Sequence, residues 1–374
     1  MKTISPNSKK RRLLIVGSFP KRIIYGGIYN SCKLIVNSPY FSDFNIILFD
    51  STQISNPAPS IIVRSFLAGV RLFRFIFKLL KTKPEATLIF CSDGASAFEK
   101  GVMIQICKSL DIKTLIFPRA GNLINQTNDS RIFRALIRNL FKGSDAFFAQ
   151  GSRWKSYAIE TLKISPNKIS IVHNWTAKKE FLEIGQQKIY IKKQEIINFL
   201  FVGWLEKEKG VLEILKALKF LDDKKHKYTF TFVGDGKLMR SSRQFIKENN
   251  LTHKVFFVGW IKPSEIKNFY IKADVFVLPS WAEGMPNSLI EALSFGLASI
   301  VTDVGMICNY LQNNISALIL PAKNLDLLQC AMEQLILDNK QREKLSKKGY
   351  LISKQYFSTD KGLEKMAKSI KKIF

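Results

Sequence analysis

Two carboxylates, Glu283 and Glu291, stand on either side of the turn Gly284-Met285-Pro286-Asn287-Ser288. The apolar run from Asp274 to Leu278 reads as a strand ahead of them, and a helix is expected to begin near Asn287. A helix start presents unpaired backbone N–H groups and the positive end of a dipole, which suits a phosphate. Pro286 has no N–H to leave unpaired, and Asn287 or Ser288 can cap the first turn. Glu283 then precedes the helix and Glu291 lies one turn inside it, so both can face one crevice across a phosphate-sized gap. A solvated glutamate before a turn and another on a helix surface have the same spacing, and spacing alone does not separate the two readings.

The neighbouring segments do. Phe201-Val202-Gly203-Trp204 ends one expected strand and leads to Glu208-Lys209-Gly210; Val233-Gly234-Asp235-Gly236 ends the next; Val258-Gly259-Trp260 ends a third. Glycine after a strand is common in turns, but three in succession are what a backbone needs to approach a ligand closely. Together they outline a nucleotide site.

These segments need a frame that brings strand ends together. Short apolar runs alternate with helical patterns along the whole chain. Strands are expected at 12–17, 45–50, 86–91, 112–117, 145–150 and 168–173, with helices near 27–37, 60–82, 94–110, 128–143 and 152–163. A lysine-rich polar stretch, about 185–195, reads as a linker. Strands then follow at 196–203, 228–234, 254–259, 274–279 and 298–302, with helices near 209–220, 238–249, 263–271, 287–295 and 325–337. Alternation with nearly continuous apolar strands indicates parallel sheets covered on both faces. The predicted fold is α/β, with two Rossmann-like domains, 1–190 and 191–356, facing a central cleft. A helix over 357–374 is expected to pack back onto the first domain. Ligands bind beyond the carboxyl ends of such strands.

From Gly203 through Glu208-Lys209-Gly210, Gly234-Asp235-Gly236, Gly259 and the pair Glu283 and Glu291, continuing to Gly296 and Val301-Thr302-Asp303-Val304-Gly305, the chain resembles retaining GT-B-fold glycosyltransferases of family four, the glycosyl transferases group 1. The resemblance is strong over 196–305 and extends weakly to nearly the whole chain. It implies a nucleotide-diphosphate sugar donor, UDP- or GDP-linked, as co-substrate, with no further cofactor. Glu283 would contact the sugar hydroxyls and Glu291 the ribose. Lys209 would hold the pyrophosphate with the backbone from Gly284 and Met285 through Pro286, Asn287 and Ser288, and the loop at Trp260 would frame the base. The donor set would also include Gly203, Gly234 and Asp235. The family usually has an arginine where this chain has Trp204, which removes one cation from the diphosphate; Lys207 or Arg119 could replace it.

In the first half, Gly26-Gly27 follows the first strand, where similar enzymes close a glycine pair on the donor phosphates, although an ordinary turn reads the same. Arg119 and Asn122 follow the strand at 112–117, near where relatives carry a histidine, and are acceptor-site candidates; Arg119 is also grouped with Glu283 and Lys209 as catalytic. His173 follows the strand at 168–173 as a third acceptor-side candidate, with an interdomain or structural role the competing reading. Transfer with retention, the leaving phosphate helping to remove the acceptor proton, is what the family implies.

Bulk composition narrows the partners. The 374 residues carry a net charge of +28, with 29 Lys and Arg against 11 Asp and Glu in residues 1–190. Such a charge calls for an anionic partner. No carboxylate lies between Asp50 and Glu85, while Arg64, Arg71, Arg74, Lys78 and Lys81 recur at helical spacing; Arg131, Arg134, Arg138 and Lys142 repeat the pattern. Two unopposed basic faces suit an anionic membrane surface. Nucleic acid is disfavoured because no helix-turn-helix, zinc or RNA-binding signature accompanies the charge. Five scattered cysteines and three histidines without ligand spacing point to a reduced, cytoplasmic protein and no metal site. No Asp-x-Asp triplet occurs, so transfer is expected to be metal-independent. The apolar stretch after Lys9-Lys10-Arg11-Arg12 ends at Gly17, too short for a signal peptide, and no run approaches a membrane-spanning length. The expected place is the inner face of the cell membrane, with a saccharide or lipid-linked saccharide as acceptor in surface polysaccharide or lipopolysaccharide synthesis. A nucleotide-sugar epimerase on the same plan, or a binding protein that has lost catalysis, are the alternatives.

Overall fold

The computed structural model describes residues 10–19, 27–52, 60–189 and 195–374. Gly26 lies outside them. The chain divides into two compact units, Met1–His173 with Gly362–Phe374, and Asn174–Lys361.

The first unit holds β1 (Arg11–Gly17), β2 (Phe44–Asp50), β3 (Ala86–Cys91), β4 (Lys113–Pro118), β5 (Ala146–Ala149) and β6 (Ile169–Ile171). They form one sheet in the order β2-β1-β3-β4-β5-β6, every pair parallel. Its helices are α1 (Gly27–Val36), α2 (Ile61–Thr82), α3 (Gly94–Ser109), α4 (Asn122–Asp129), α5 (Arg131–Phe141) and α6 (Ser152–Glu160). Leu13–Val16 and Leu88–Phe90 are buried on both faces, as continuous apolar strands require. The helix expected over 128–143 is instead two. Ser130 breaks it with an extended backbone and accepts a hydrogen bond from the Phe133 amide, capping α5.

The second unit contains α7 (Lys179–Lys188), β7 (Ile197–Val202), α8 (Val211–Asp223), β8 (Tyr228–Val233), α9 (Met239–Glu248), β9 (Val255–Gly259), α10 (Lys267–Lys272) and β10 (Val275–Leu278). It continues with α11 (Asn287–Ser294), β11 (Ala298–Thr302), β12 (Leu318–Leu320), α12 (Leu325–Leu337) and α13 (Asn339–Tyr356). The sheet order is β12-β11-β10-β7-β8-β9, again parallel throughout. The chain winds outward from β7 through β8 to β9, then returns to lay β10 on the opposite side of β7. That reversal makes β7 and β10 a topological switch point, the place beside which ligands bind in open parallel sheets.

Three boundaries differ from expectation. The stretch read as a linker from residue 185 is in part the end of α7. Gly185 there packs so closely that a Cβ would lie 2.0 Å from the Ser294 carbonyl oxygen, and the Phe181 and Phe295 rings stand 4.5 Å apart. The division between the units accordingly falls before α7, at His173, rather than at residue 190. α13 has no counterpart among the expected elements. It packs through small and polar residues: Ser346 donates to the Gly296 carbonyl, and Gly349 abuts Leu293. The final helix, α14, spans Thr359–Lys371, and the chain re-enters the first unit at Gly362. Lys371 pairs with Asp43 there, and the Phe374 ring lies 5.8 Å from that of Phe44.

The glycines at strand ends in the second unit are not equivalent. Gly234 has φ +134°, and a Cβ would lie 1.9 Å from the Gly203 carbonyl oxygen, whereas Gly259 at φ +81° faces open space. Gly259→Ala is expected to cost ~1–2 kcal/mol, the strain of a left-handed backbone alone. Gly234→Ala adds a backbone collision and is expected to cost at least ~3 kcal/mol. Urea unfolding of both variants checks this; equal losses would show that the β8 loop shifts freely.

Candidate functional site

The loops after β7 and β10 of the second unit are tied together at their base. Trp281 N–H donates to the Glu208 carbonyl at 2.8 Å, and Trp281 Nε1 donates to Glu213 on α8 at 3.1 Å. Gly210, at φ +71°, presses against the Pro279 carbonyl, which a Cβ would approach to 2.3 Å. Any other residue at Gly210 would push the loops apart. Gly305, at φ +64°, meets the carbonyls of Glu283 and Gly284 in the same way, and Met306 N–H donates to Gly284 O at 2.9 Å.

This clamp brings Lys209 to Glu283. Lys209 Nζ lies 2.5 Å from Glu283 Oε1, and Ser280 Oγ donates to the same oxygen at 2.9 Å. Thr302 at the end of β11 holds the Ser280 carbonyl. Among the described residues nothing donates to Glu283 Oε2, so one carboxylate oxygen is fixed by protein and the other is open to a ligand hydroxyl. Lys209 Nζ has three N–H donors and spends one on Glu283.

Past Glu283 the chain turns through Gly284, Met285 and Pro286 into α11. Pro286 is the N-cap residue, with no side-chain cap on the helix. The first-turn amides at Asn287 and Ser288 therefore carry no capping side chain, contrary to the expectation that one of these residues caps the helix. Asn287 is engaged elsewhere: Asn174 Nδ2 donates to Met285 O at 2.7 Å and to Asn287 Oδ1 at 3.1 Å. Met285 is buried, which anchors the turn.

Glu291 sits one turn into α11 and accepts a hydrogen bond from Tyr270 on α10 at 3.0 Å. Burial of the carboxyl group pushes it up to about 7, with Tyr270 and the charge of Lys178 pulling the other way. Trp204 and Trp260, after β7 and β9, leave about two fifths of their surface exposed, 38% and 40%. Gly203 N–H bonds to Val233 O, while Asp235 turns its carboxylate onto the Gly236 amide at 2.7 Å. Lys207 does lie in this region: its Nζ is 5.4 Å from the Trp281 ring centre, and Lys323 Nζ approaches the same ring at 4.6 Å.

In the first unit, Gly27 opens α1 and its carbonyl accepts from Ser31. Arg119 follows β4. Its guanidinium lies 4.9 Å from the Phe117 ring centre, and Nη2 donates to Ser31 Oγ at 3.2 Å. Burial lowers it to about 10, which leaves it charged at neutral pH. Asn122 donates to Asp93, just past β3, at 2.8 Å. His173 Nδ1 lies 3.1 Å from Gln150 O, and because a carbonyl only accepts, Nδ1 carries the proton. Burial depresses this imidazole, keeping it neutral. Gln150 in turn donates to Pro118 O, linking the ends of β4 and β5. Among the described residues no three His, Cys, Asp or Glu side chains gather as a metal site.

Sequence reasoning missed Ser280, Tyr270 and Asn174, which position Glu283, Glu291 and the Met285 turn. Ser280 stood beside the strand end and could have been found; the other two come from distant segments with no local signal.

With this geometry in place, comparison with known proteins can be read for the second unit. Residues 185–352 match the model described as "Glycosyl transferases group 1". They belong to that family. The group 1 domain begins inside α7 and runs into α13, so it includes the clamp, the turn and Glu291. An uncharacterized glycosyltransferase of Methanocaldococcus jannaschii is 24% identical over 357 residues, covering 93% of this chain and 94% of that one. The UDP-Gal:alpha-D-GlcNAc-diphosphoundecaprenol alpha-1,3-galactosyltransferase of Escherichia coli is 33% identical over 158 residues, 40% of each chain. Among solved structures, sucrose-phosphate synthase from Thermosynechococcus elongatus aligns with a TM-score of 0.75 at 15% identity, over 97% of this chain and 99% of that one. The fold is GT-B, two Rossmann-like units each with a six-stranded parallel sheet.

The carboxyl of Glu291 generates a prediction. Its folded-state value, about 7, lies above the ordinary 4.5, so the folded protein holds this proton more tightly than the unfolded chain. Its contribution is greatest below pH 4.5 and is lost as pH rises to 7. Glu291→Gln should therefore gain melting temperature relative to the parent as pH rises from 5 to 8. A difference that stays constant across paired thermal melts would contradict the assignment.

Proposed function

We propose that the chain transfers a sugar from a UDP- or GDP-sugar to a saccharide or lipid-linked saccharide, with retention and without a metal ion, in surface polysaccharide or lipopolysaccharide synthesis. The observation that carries this reading is the meeting of Lys209 and Glu283 where the loops after β7 and β10 diverge, directly ahead of the α11 N-terminus. A nucleotide diphosphate in this crevice places its negative charge on the remaining Lys209 donors, the first-turn amides and the helix dipole. Glu283 Oε2 accepts from a sugar hydroxyl, and Glu291 accepts from the ribose. Trp260, exposed after β9, offers a flat apolar face to the base.

During transfer the bond from the sugar's anomeric carbon to the diphosphate oxygen breaks, and a bond to the acceptor oxygen forms on the same face. The acceptor's proton passes to the departing diphosphate. Charge accumulating on that diphosphate is what the site stabilises, and fixed dipoles do this without reorganisation. Lys207, on the clamped loop beside Trp281, supplies a second cation where Trp204 replaces the family's arginine. The roles of Arg119, Asn122 and His173 on the acceptor side rest on their places after β4 and β6. A lipid-linked acceptor is supported by the Escherichia coli relative, whose own substrate is a diphosphoundecaprenol, and by the net charge of +28. That charge also supports a peripheral place at the inner, cytoplasmic face of an anionic membrane; no helix among the described residues is long and apolar enough to cross one.

Lys209→Ala is expected to lower sugar transfer at least 100-fold, the scale of losing a main stabiliser of the developing charge, while circular dichroism stays unchanged. Transfer should persist in excess EDTA. Isotope-labelled UDP- and GDP-sugars incubated with membrane extract provide the assay. Donor conversion without any acceptor would indicate an epimerase, and nucleotide binding with neither transfer nor hydrolysis would indicate a binding protein; either result overturns the proposal.

A further inference from the structure

A helix packed on a sheet needs one apolar side, and α2 has two. Phe75 and Leu79 are buried against the first unit's core. On the other side Phe66, Phe73 and Phe77 are 71%, 73% and 62% exposed, with Ile62 and Leu80 exposed alongside them. At about 100° per residue these five positions share one sector of roughly 60°, facing away from Phe75 and Leu79. Scattered exposed apolar residues need no explanation, but an aromatic stripe running the length of a 22-residue helix does.

The charges beside the stripe are also sorted. Arg71, grouped by sequence with the solvent-facing cations, turns inward and donates to both oxygens of Glu99 on α3, at 2.7 and 2.8 Å. Arg64, Arg74 and Lys81 remain at the surface, and no carboxylate between Asp50 and Glu85 opposes them. α5 reinforces the pattern. Right-handed crossovers place α2, α3 and α5 on one face of the sheet, and α3 contacts both of the others. α5 contains no carboxylate of its own and exposes Ile132 at 84%.

We infer that α2 lies in the head-group layer of an anionic bilayer, with Phe66, Phe73 and Phe77 in the acyl boundary and Arg74 and Lys81 on lipid phosphates. Alternating aromatic and unopposed basic positions match that layer in both polarity and sign. A protein partner would have to bring both an apolar groove and a matching row of acids. The inference deepens the peripheral-membrane reading above and rests on it for the nature of the partner. It adds that binding is by insertion of one face of one helix, not by net charge alone.

The test is co-sedimentation with vesicles of phosphatidylglycerol and phosphatidylcholine, against phosphatidylcholine alone. The protein should bind the anionic vesicles, and the triple variant F66S/F73S/F77S should bind them about 1,000-fold more weakly, at roughly tenfold per ring withdrawn. In a Phe73→Trp variant the introduced indole should shift to the blue on adding anionic vesicles and be quenched by brominated acyl chains. Full binding by the triple variant, or an introduced indole that ignores the vesicles, overturns the inference. So does lipid-free self-association that the triple variant abolishes, because the stripe is then a subunit interface. Nucleotide-induced thermal shift, which needs no membrane, should be the same for the triple variant and the parent. Loss of donor binding in the parent itself would strike the transferase reading and leave the vesicle result standing.

Discussion

The Lys209–Glu283 site depends on one topological fact: β10 returns to lie against β7 on the side opposite β8. Sheet order alone forces the loops after these two strands apart. The clamp then sets how far. Trp281 N–H on the Glu208 carbonyl and the contact of Gly210 with Pro279 hold the loop bases together. Lys209 lies between Glu208 and Gly210, and Glu283 follows Trp281 by two residues, so these two contacts bring them within reach of each other.

What was legible in the sequence follows from the range of the interactions. The turn from Glu283 to Glu291 uses local chemistry, proline and glycine at a strand–helix junction, and its place and helix start stand as read. Lys209 was singled out through the family resemblance, and the left-handed backbone of Gly210 beside it, at the start of α8, is visible only in the structure. Tyr270 reaches Glu291 from another helix, and Asn174 reaches Met285 from the far end of the domain; no spacing rule announces either. α13 escaped because its contacts run through Ser346 and Gly349, which give no apolar period. The boundary at His173 was hidden by a lysine-rich stretch that looks like a linker on composition, while Phe181 and Gly185 bury that same segment.

Charge was the least legible property. A count of cations along α2 treats Arg71 and Arg74 alike, yet one closes a bidentate pair with buried Glu99 and the other faces solvent. Apolar residues were equally ambiguous, since periodicity shows that a helix has an apolar face but not that it has two. Only burial, residue by residue, separates Phe75 from Phe73.

The same distinction bears on the proposal that a diphosphate binds beside two glutamates. Counted as formal charges, Glu283 and Glu291 would repel a dianion, and a lone lysine would not compensate. The environment changes the count. Glu283 is paired with Lys209 at 2.5 Å, and burial pushes Glu291 up to about 7, which favours its neutral form relative to an ordinary glutamate. With both charges offset in this way, the positive end of the α11 dipole and its first-turn amides are opposed less strongly. The glutamates can then serve as hydrogen-bond acceptors for hydroxyl groups while contributing little net charge where the phosphates would sit. Desolvating Glu291 carries a cost in stability, and on the proposed function that cost is what makes an acidic pair compatible with a bound anion.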